Sequence, residues 1–432
     1  MMRSVTGGLL LLAVLAACTP RLNSRFLAED DIWLRATQVA VPEAEQPMIN
    51  RFLGKQYGTW TDYVPDTSCL DQFPVRLVRI NLHFMNTTDS ASNYYGEEAR
   101  SFARGWIAAA NKDLRENNRS WQPRDPSLPV LPTRYRLQLT APPDDPASGG
   151  VFCHFDDELF YYIHRGQNRN LYNQDVLRKY GIQRDSVLNV FVQPHHPDSM
   201  VSPTYSAGPV GVMVGGAIKI AGVYESGQPA WFYRGVLNHE VGHVFSLAHS
   251  WLNDGCPDTP YGKNPCWNKG EAPPCDTGAT NNVMEYNALQ NAWTPCQIGR
   301  VRQKMASTSF SYRRYLAPVW CSLREDRPVM VTDSVVWRGA KDFSRHIEVA
   351  EGAQLRIESR ISLPPDGRII LRPGATLILG ATSRLHNACG QQWAGIVVEQ
   401  RGRRQGQVIV EGTPTIEDNR HAIPVPTPPQ NP

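Results

Sequence analysis

His239-Glu240-Val241-Gly242-His243, followed by Val244-Phe245-Ser246-Leu247-Ala248-His249, decides how the rest of this chain is read. Two histidines four apart on a helix lie on one face, close enough for both imidazoles to reach one metal ion. Glu240 cannot join them as a ligand. It sits beside the metal's open position, where a general base for a bound water is needed. An isolated H-E-x-x-H match also fits an ordinary amphipathic helix with surface histidines, so the neighbouring residues matter. On a continuous helix His249 would lie about 280° round and ~15 Å along from His239, out of reach of the same ion. Sharing the ion requires the helix to stop between Val244 and Ala248 and the chain to fold back.

Further motifs follow. Asp258-Thr259-Pro260 comes first, then Asn282-Val283-Met284-Glu285-Tyr286, then Trp293-Thr294-Pro295-Cys296-Gln297 ahead of Arg300 and Met305. Together with the histidines these resemble the pappalysin branch of the metzincin peptidases. That branch carries H-E-x-G-H with a third histidine, D-T-P, the Met-turn N-x-M-D-Y, and F-T-x-x-Q before an R-M pair. Here Glu285 replaces the aspartate, Trp293 the phenylalanine, and Cys296 falls later than the family's cysteine. Ser246 stands at the signature's glycine, where a residue with a Cβ costs about 1–2 kcal/mol in a left-handed turn. The resemblance covers Trp231 to Met305 closely and about 150 preceding residues by order of elements only.

The resemblance implies an α+β fold whose metzincin-like catalytic domain has a twisted sheet, two long helices and a Met-turn. It implies Zn²⁺ held by His239, His243 and His249, with Glu240 as the catalytic base. Tyr286 would hydrogen-bond the transition state, and Met284 would pack beneath the metal. A protein or peptide substrate follows, and a structural Ca²⁺ with Asp254 and Asp258 as candidate acids. Core packing by itself also accounts for Met284 and Tyr286. Two rival readings stand beside this one. Glu271 or Glu285 could replace His249 as third ligand. Alternatively, the chain is a non-catalytic, zinc-containing surface lipoprotein that binds glycan or protein, against which the intact Glu240 argues.

The chain has 432 residues, enough for two domains and a leader. With 44 Lys and Arg against 41 Asp and Glu the net charge is only +3, and no basic stripe points to nucleic acid. Residues 1–17 read as a signal peptide, because Arg3 precedes an apolar run from Val5 to Ala17 that is too short to span a bilayer. Leu15-Ala16-Ala17-Cys18 resembles a bacterial lipobox, which implies acylation of Cys18 and attachment to the outer membrane, facing the periplasm or the cell surface. The simpler alternative is a secretory signal followed by a stray cysteine.

Removing Cys18 leaves eight cysteines, an even number that favours disulfides in an exported protein. Cys256, Cys266, Cys275 and Cys296 cluster after the histidine segment as disulfide candidates. Cys69 is a candidate latency ligand for the zinc, although cysteine parity favours a disulfide there too.

Residues 18–74 are expected to be a tether or short pro-segment, and 75–320 the peptidase domain. Strands are expected at Arg76–Phe84, Tyr135–Leu139, Phe160–Ile163 and Val187–Val192, with a helix over Glu97–Glu116. Gly208–Tyr224 reads as two strands and a turn. His195 and His196 are expected in a loop. From 328 to 422 strand pairs recur, Ile347–Val349 with Gln354–Ile357 and Ile369–Leu371 with Thr376–Leu379. Gly352 and Gly374 are 22 residues apart, and a weaker third copy begins at Val408. This period suggests a short parallel β-solenoid that offers a surface to glycan or protein, with a small β-sandwich as the alternative. Residues 423–432 read as a disordered proline-rich tail.

Overall fold

Val78, Ile80, Leu82 and Phe84 are all fully buried in one long strand, Arg76–Asn86, around which the first half of the molecule is built. The computed structural model describes residues 21–35, 59–89, 93–123, 125–164, 167, 169–203, 205, 208–260, 262–270 and 273–423. The expected signal peptide, Cys18, Glu271 and the tail beyond Ile423 lie outside the described residues. So does the side chain of Cys69.

Strand Arg76–Asn86 pairs in parallel with Tyr135–Leu139 and Val151–Phe155 on one side and with Leu188–Val192 on the other. The sheet continues through Ala217–Ala221, parallel, to Val210–Val214, which is antiparallel and forms the edge. Two helices pack against it. Gly96–Glu116 buries Ala99, Ala103, Trp106, Ile107, Ala110 and Leu114, which recur at helical spacing. Its partner is the histidine helix, Arg234–Val244. Trp106 Nε1 donates to Tyr233 O (2.8 Å) and Asn238 Nδ2 to Ala110 O (3.1 Å), which fixes one helix on the other.

Phe160–Ile163 is not a strand. Leu159, Phe160 and Tyr162 are buried in a turn-rich loop, held where Gln193 Nε2 donates to the carbonyls of Leu159 and Tyr161. An aromatic run of that length cannot be told from a strand by periodicity alone. Among the described residues, no helix is long and apolar enough to cross a membrane.

Beyond residue 328 the chain forms three sheets of parallel strands. One holds Val329–Val331, Ile347–Val349, Arg368–Leu371 and Gly395–Arg401. The second holds Val335–Trp337, Gln354–Ile357, Thr376–Leu379 and Gln407–Glu411. Like residues stack on like, with Ile357, Leu379 and Val410 in register and buried. Gly352 and Gly374 both take φ +76°, turning the chain between the first sheet and the second. The third copy is shifted from its expected register. Val408–Val410 stacks on Leu377–Leu379, and Ile396–Val398 takes the earlier place, because the hairpin at Arg401–Arg404 intervenes.

The stretch expected to be a tether is partly a component of these sheets. Leu22–Phe26 pairs antiparallel with Val397–Arg401, and Ile32–Arg35 pairs parallel with Val408–Glu411. No local pattern marks this, because both partners lie about 375 residues away.

Asp342 joins the two halves. Buried, it takes Arg76 Nη2 at 2.9 Å and Arg302 Nη2 at 3.1 Å on one oxygen, with Arg360 Nη1 2.8 Å from the other. Arg76 stacks on Trp320 at 3.9 Å. Burial raises the carboxyl's pKa, but the three guanidinium groups outweigh it and hold Asp342 well below the usual carboxylate range. Its stabilising contribution is therefore present above the unfolded carboxyl pKa and is lost as pH falls through the depressed folded value. The disulfide Cys321–Cys389 spans the same junction. Asp342→Ala should cost about 3–5 kcal/mol in a urea titration, because three buried cations lose their counter-charge. A loss below about 1 kcal/mol would show that water reaches the cluster.

Candidate metal and catalytic site

The histidine helix ends at Val244, and Ser246 adopts φ +67°. Leu247 N–H donates to Gly242 O and Ser246 N–H to His243 O, both at 3.0 Å. This is a Schellman closure with serine at the left-handed position. The chain reverses there and brings His249 back. His243 Nε2 lies 3.1 Å from His239 Nε2 and 3.2 Å from His249 Nε2.

The outer nitrogens show what the inner ones can do. His239 Nδ1 faces Val283 O at 2.7 Å, and His243 Nδ1 faces Leu247 O at 2.8 Å. A carbonyl only accepts, so a proton on Nδ1 satisfies it and leaves Nε2 of His239 and His243 with a lone pair. The Gln290 side-chain amide also stands 2.9 Å from His239 Nδ1. Burial, reinforced by the neighbouring imidazoles, pushes His239 down to about 3 and His249 to about 4, and burial lowers His243 as well. Three imidazoles held neutral by burial, with their Nε2 atoms converging, fit a cation such as Zn²⁺.

Glu240 is 4% exposed, and its Oε2 has no hydrogen-bond partner. Burial raises its pKa to about 8. A nearly buried carboxyl with a free oxygen, next to three convergent imidazoles, marks a site of chemistry. The carboxyl lies against Gly211 on the edge strand, where a Cβ would stand 2.4 Å from Glu240 Cγ. Sequence reasoning missed Gly211, since nothing local marks a glycine that yields space to a distant side chain.

Met284 is fully buried, with its sulfur 2.6 Å from where a Cβ on Gly242 would stand. The methionine thus seats directly beneath the helix between the two histidines, and its carbonyl accepts from Ser250 N–H at 3.0 Å. Tyr286 is half-exposed, with its ring 5.2 Å from that of His249. Burial and the Glu240 carboxyl raise its pKa, keeping it protonated as a donor. Glu285 points elsewhere, accepting from Ser250 Oγ (2.5 Å) and Asn264 N–H (3.1 Å).

The remaining motif residues build the frame. Thr294 and Gln297 form a capping box at the start of helix Pro295–Ala306, and Gln297 exchanges two hydrogen bonds with Asn282 (2.9 and 3.0 Å). Asp254 accepts from Cys256 N–H and Thr259 Oγ1, and Asp258 accepts from Cys296 N–H, all at 2.9 Å. Cys256 pairs with Cys296 and Cys266 with Cys275. Cys153 is a free thiol, which departs from full pairing of the eight. His195 is a buried loop residue whose Nδ1 meets Tyr205 Oη at 2.6 Å, and His196 caps a short helix at Pro197–Met200.

No protein-family model matches the chain, and no curated protein matches it. Among solved structures it is similar to mature mirolysin of Tannerella forsythia in complex with a cleaved peptide. That match has 17% identity, covers 56% of this chain and 95% of that one, and has a TM-score of 0.39. Promirolysin of the same organism matches at 16% identity over 59% of this chain and 86% of that one, with a TM-score of 0.34.

Ser246→Gly should be neutral or stabilising by up to roughly 1 kcal/mol in thermal unfolding, because it removes a Cβ from a left-handed residue. Clear destabilisation would contradict the turn.

Proposed function

We propose that this chain is a zinc-dependent endopeptidase of the metzincin type, pappalysin-like, hydrolysing peptide bonds at His239, His243, His249 and Glu240. The observation that carries the reading is the meeting of three imidazole Nε2 atoms beside a buried carboxyl with an unpartnered oxygen. Zn²⁺ held by the three Nε2 atoms supplies, when bound, Lewis acidity toward the scissile carbonyl and toward water. Glu240 accepts the proton of the attacking water and returns it to the leaving amine. Tyr286 donates a hydrogen bond to the oxygen that becomes negative. Met284 supports the histidine helix and takes no part in proton transfer.

The edge strand Val210–Val214 is the place for the substrate backbone. Among the described strands it pairs only with Ala217–Ala221, so its outer edge can take an extended peptide as a further strand. Gly211 then sets the peptide beside Glu240. The same reading includes a signal peptide over residues 1–17, acylation of Cys18, and residence on the outer membrane. It takes the sheets beyond residue 328 as a short parallel β-solenoid offering a surface to glycan or protein.

Glu240→Gln should keep one zinc per chain and lose peptidase activity by about 10²–10⁴-fold, since only the base is removed. Parallel loss of zinc, measured by elemental analysis, would make Glu240 a structural residue instead. His249→Ala should lower zinc affinity, whereas Glu285→Ala should not. Gly211→Ala should reduce turnover by about 10²-fold at unchanged zinc content, by displacing the Glu240 carboxyl.

A further inference from the structure

One wall of the histidine site is aromatic and carries a cation. Trp251 lies flat on His249, with ring centroids 4.2 Å apart and planes within 9°. Tyr286 meets Trp251 edge-on at 4.8 Å. Lys263 Nζ stands 5.3 Å from the centre of the Tyr286 ring and 5.7 Å from that of Trp251. Aromatic faces hold an ammonium in place without neutralising it.

The backbone that carries Lys263 is anchored on several sides. Asn264 N–H donates to Glu285, Asn264 Nδ2 donates to Gly278 O at 2.6 Å, and Asn264 Oδ1 accepts from Cys266 N–H at 2.9 Å. Cys266 is in turn disulfide-bonded to Cys275. Glu285, whose carboxyl feels the Lys263 charge, accepts with its two oxygens from Asn264 and Ser250. Lys263 is exposed, and among the described residues no carboxylate forms an ion pair with it. A cation held over two rings, one of which stacks on His249, is placed to receive an anionic group of whatever occupies the site.

We propose that Lys263, seated on Tyr286 and Trp251, forms a subsite for a substrate carboxylate next to the scissile bond. This rests on the peptidase reading above. The carboxylate has two possible sources, an Asp or Glu side chain beside the cleaved bond or the free C-terminus of a short peptide.

The test uses the zinc-loaded full chain carrying Glu240→Gln, titrated by tryptophan fluorescence with alanine-rich peptides. The peptides contain one Asp or one Asn, each with a free or an amidated C-terminus. Asp should bind about fivefold more tightly than Asn in the amidated pair, with a difference that shrinks in salt. Lys263→Gln should abolish the preference and Lys263→Arg should keep it. Tighter binding of the free than of the amidated peptides, equal for Asp and Asn and lost in Lys263→Gln, would support the subsite and assign it to the chain terminus. Equal binding of all four peptides, or a preference that survives Lys263→Gln, would overturn the proposal. In the parent chain, cleavage of all four peptides with equal KM would also overturn it while leaving the peptidase reading intact. Failure to cleave any peptide would overturn that reading, and the binding measurement would still decide the subsite.

Discussion

The reversal of the chain at Ser246 is the constraint on which the site depends. A straight helix can present two imidazoles to one point but not three, because the third would be rotated and carried away along the axis. With Val244 as the last helical residue and Ser246 at φ +67°, His249 returns to within 3.2 Å of His243. The cost of a Cβ in that conformation falls on one residue, and two backbone hydrogen bonds of the Schellman closure offset it. The Met-turn completes the support from below. Val283 O meets His239 Nδ1, Met284 fills the space under Gly242, and Met284 O holds Ser250 just after His249. Each contact acts on the placing of the three histidines.

A site held this closely needs a frame that does not shift, and the two halves of the molecule provide it jointly. Arg76 begins the central strand of the first sheet, Arg302 lies on helix Pro295–Ala306, and both turn their guanidinium groups to Asp342 in the second half. Leaving three cations around one buried carboxylate would be costly in isolation. Here Arg302 also donates to the carbonyls of Pro74 and Arg134, while Arg360 donates to Asp62 O. The ends of the central strand and of the helix behind the Met-turn are thereby tied to one point.

Elements with strong local periodicity were legible in the sequence. The helix at 96–116, the strands at 76–86, 135–139 and 188–192, and the 22-residue recurrence each declare themselves through side chains a few positions apart. The gathering of the three histidines and the turn was legible for a different reason, since three imidazoles can converge on one point only if the helix breaks before His249. What escaped depends on contacts between distant segments. Gly211 matters only because Glu240 rests on it, Lys263 only because Tyr286 and Trp251 lie beneath it, and the strands at 22–35 only because their partners lie at 397–411. Phe160–Ile163 failed in the opposite direction, where aromatic density imitated a strand that buried loop packing explains.

Between Val244 and Pro295 the described chain has only one short helix, Cys275–Gly278, yet this stretch carries His249, Trp251, Lys263, Met284 and Tyr286. Such a length cannot be ordered by a secondary-structure ladder. Disulfides closing separations of 40 and 9 residues remove conformational freedom from the unfolded chain. Buried polar side chains then replace the missing ladder, because each satisfies backbone groups that would otherwise be stranded. Asp254 and Asp258 do so at the Cys256–Cys296 bridge, Asn264 at the Cys266–Cys275 bridge, and Asn282 with Gln297 at the Met-turn. The D-T-P, N-x-M and T-x-x-Q motifs are therefore architectural in this chain. They stand beside the histidines in this chain because a three-histidine site at the end of a broken helix needs its far wall held in place without a secondary-structure ladder.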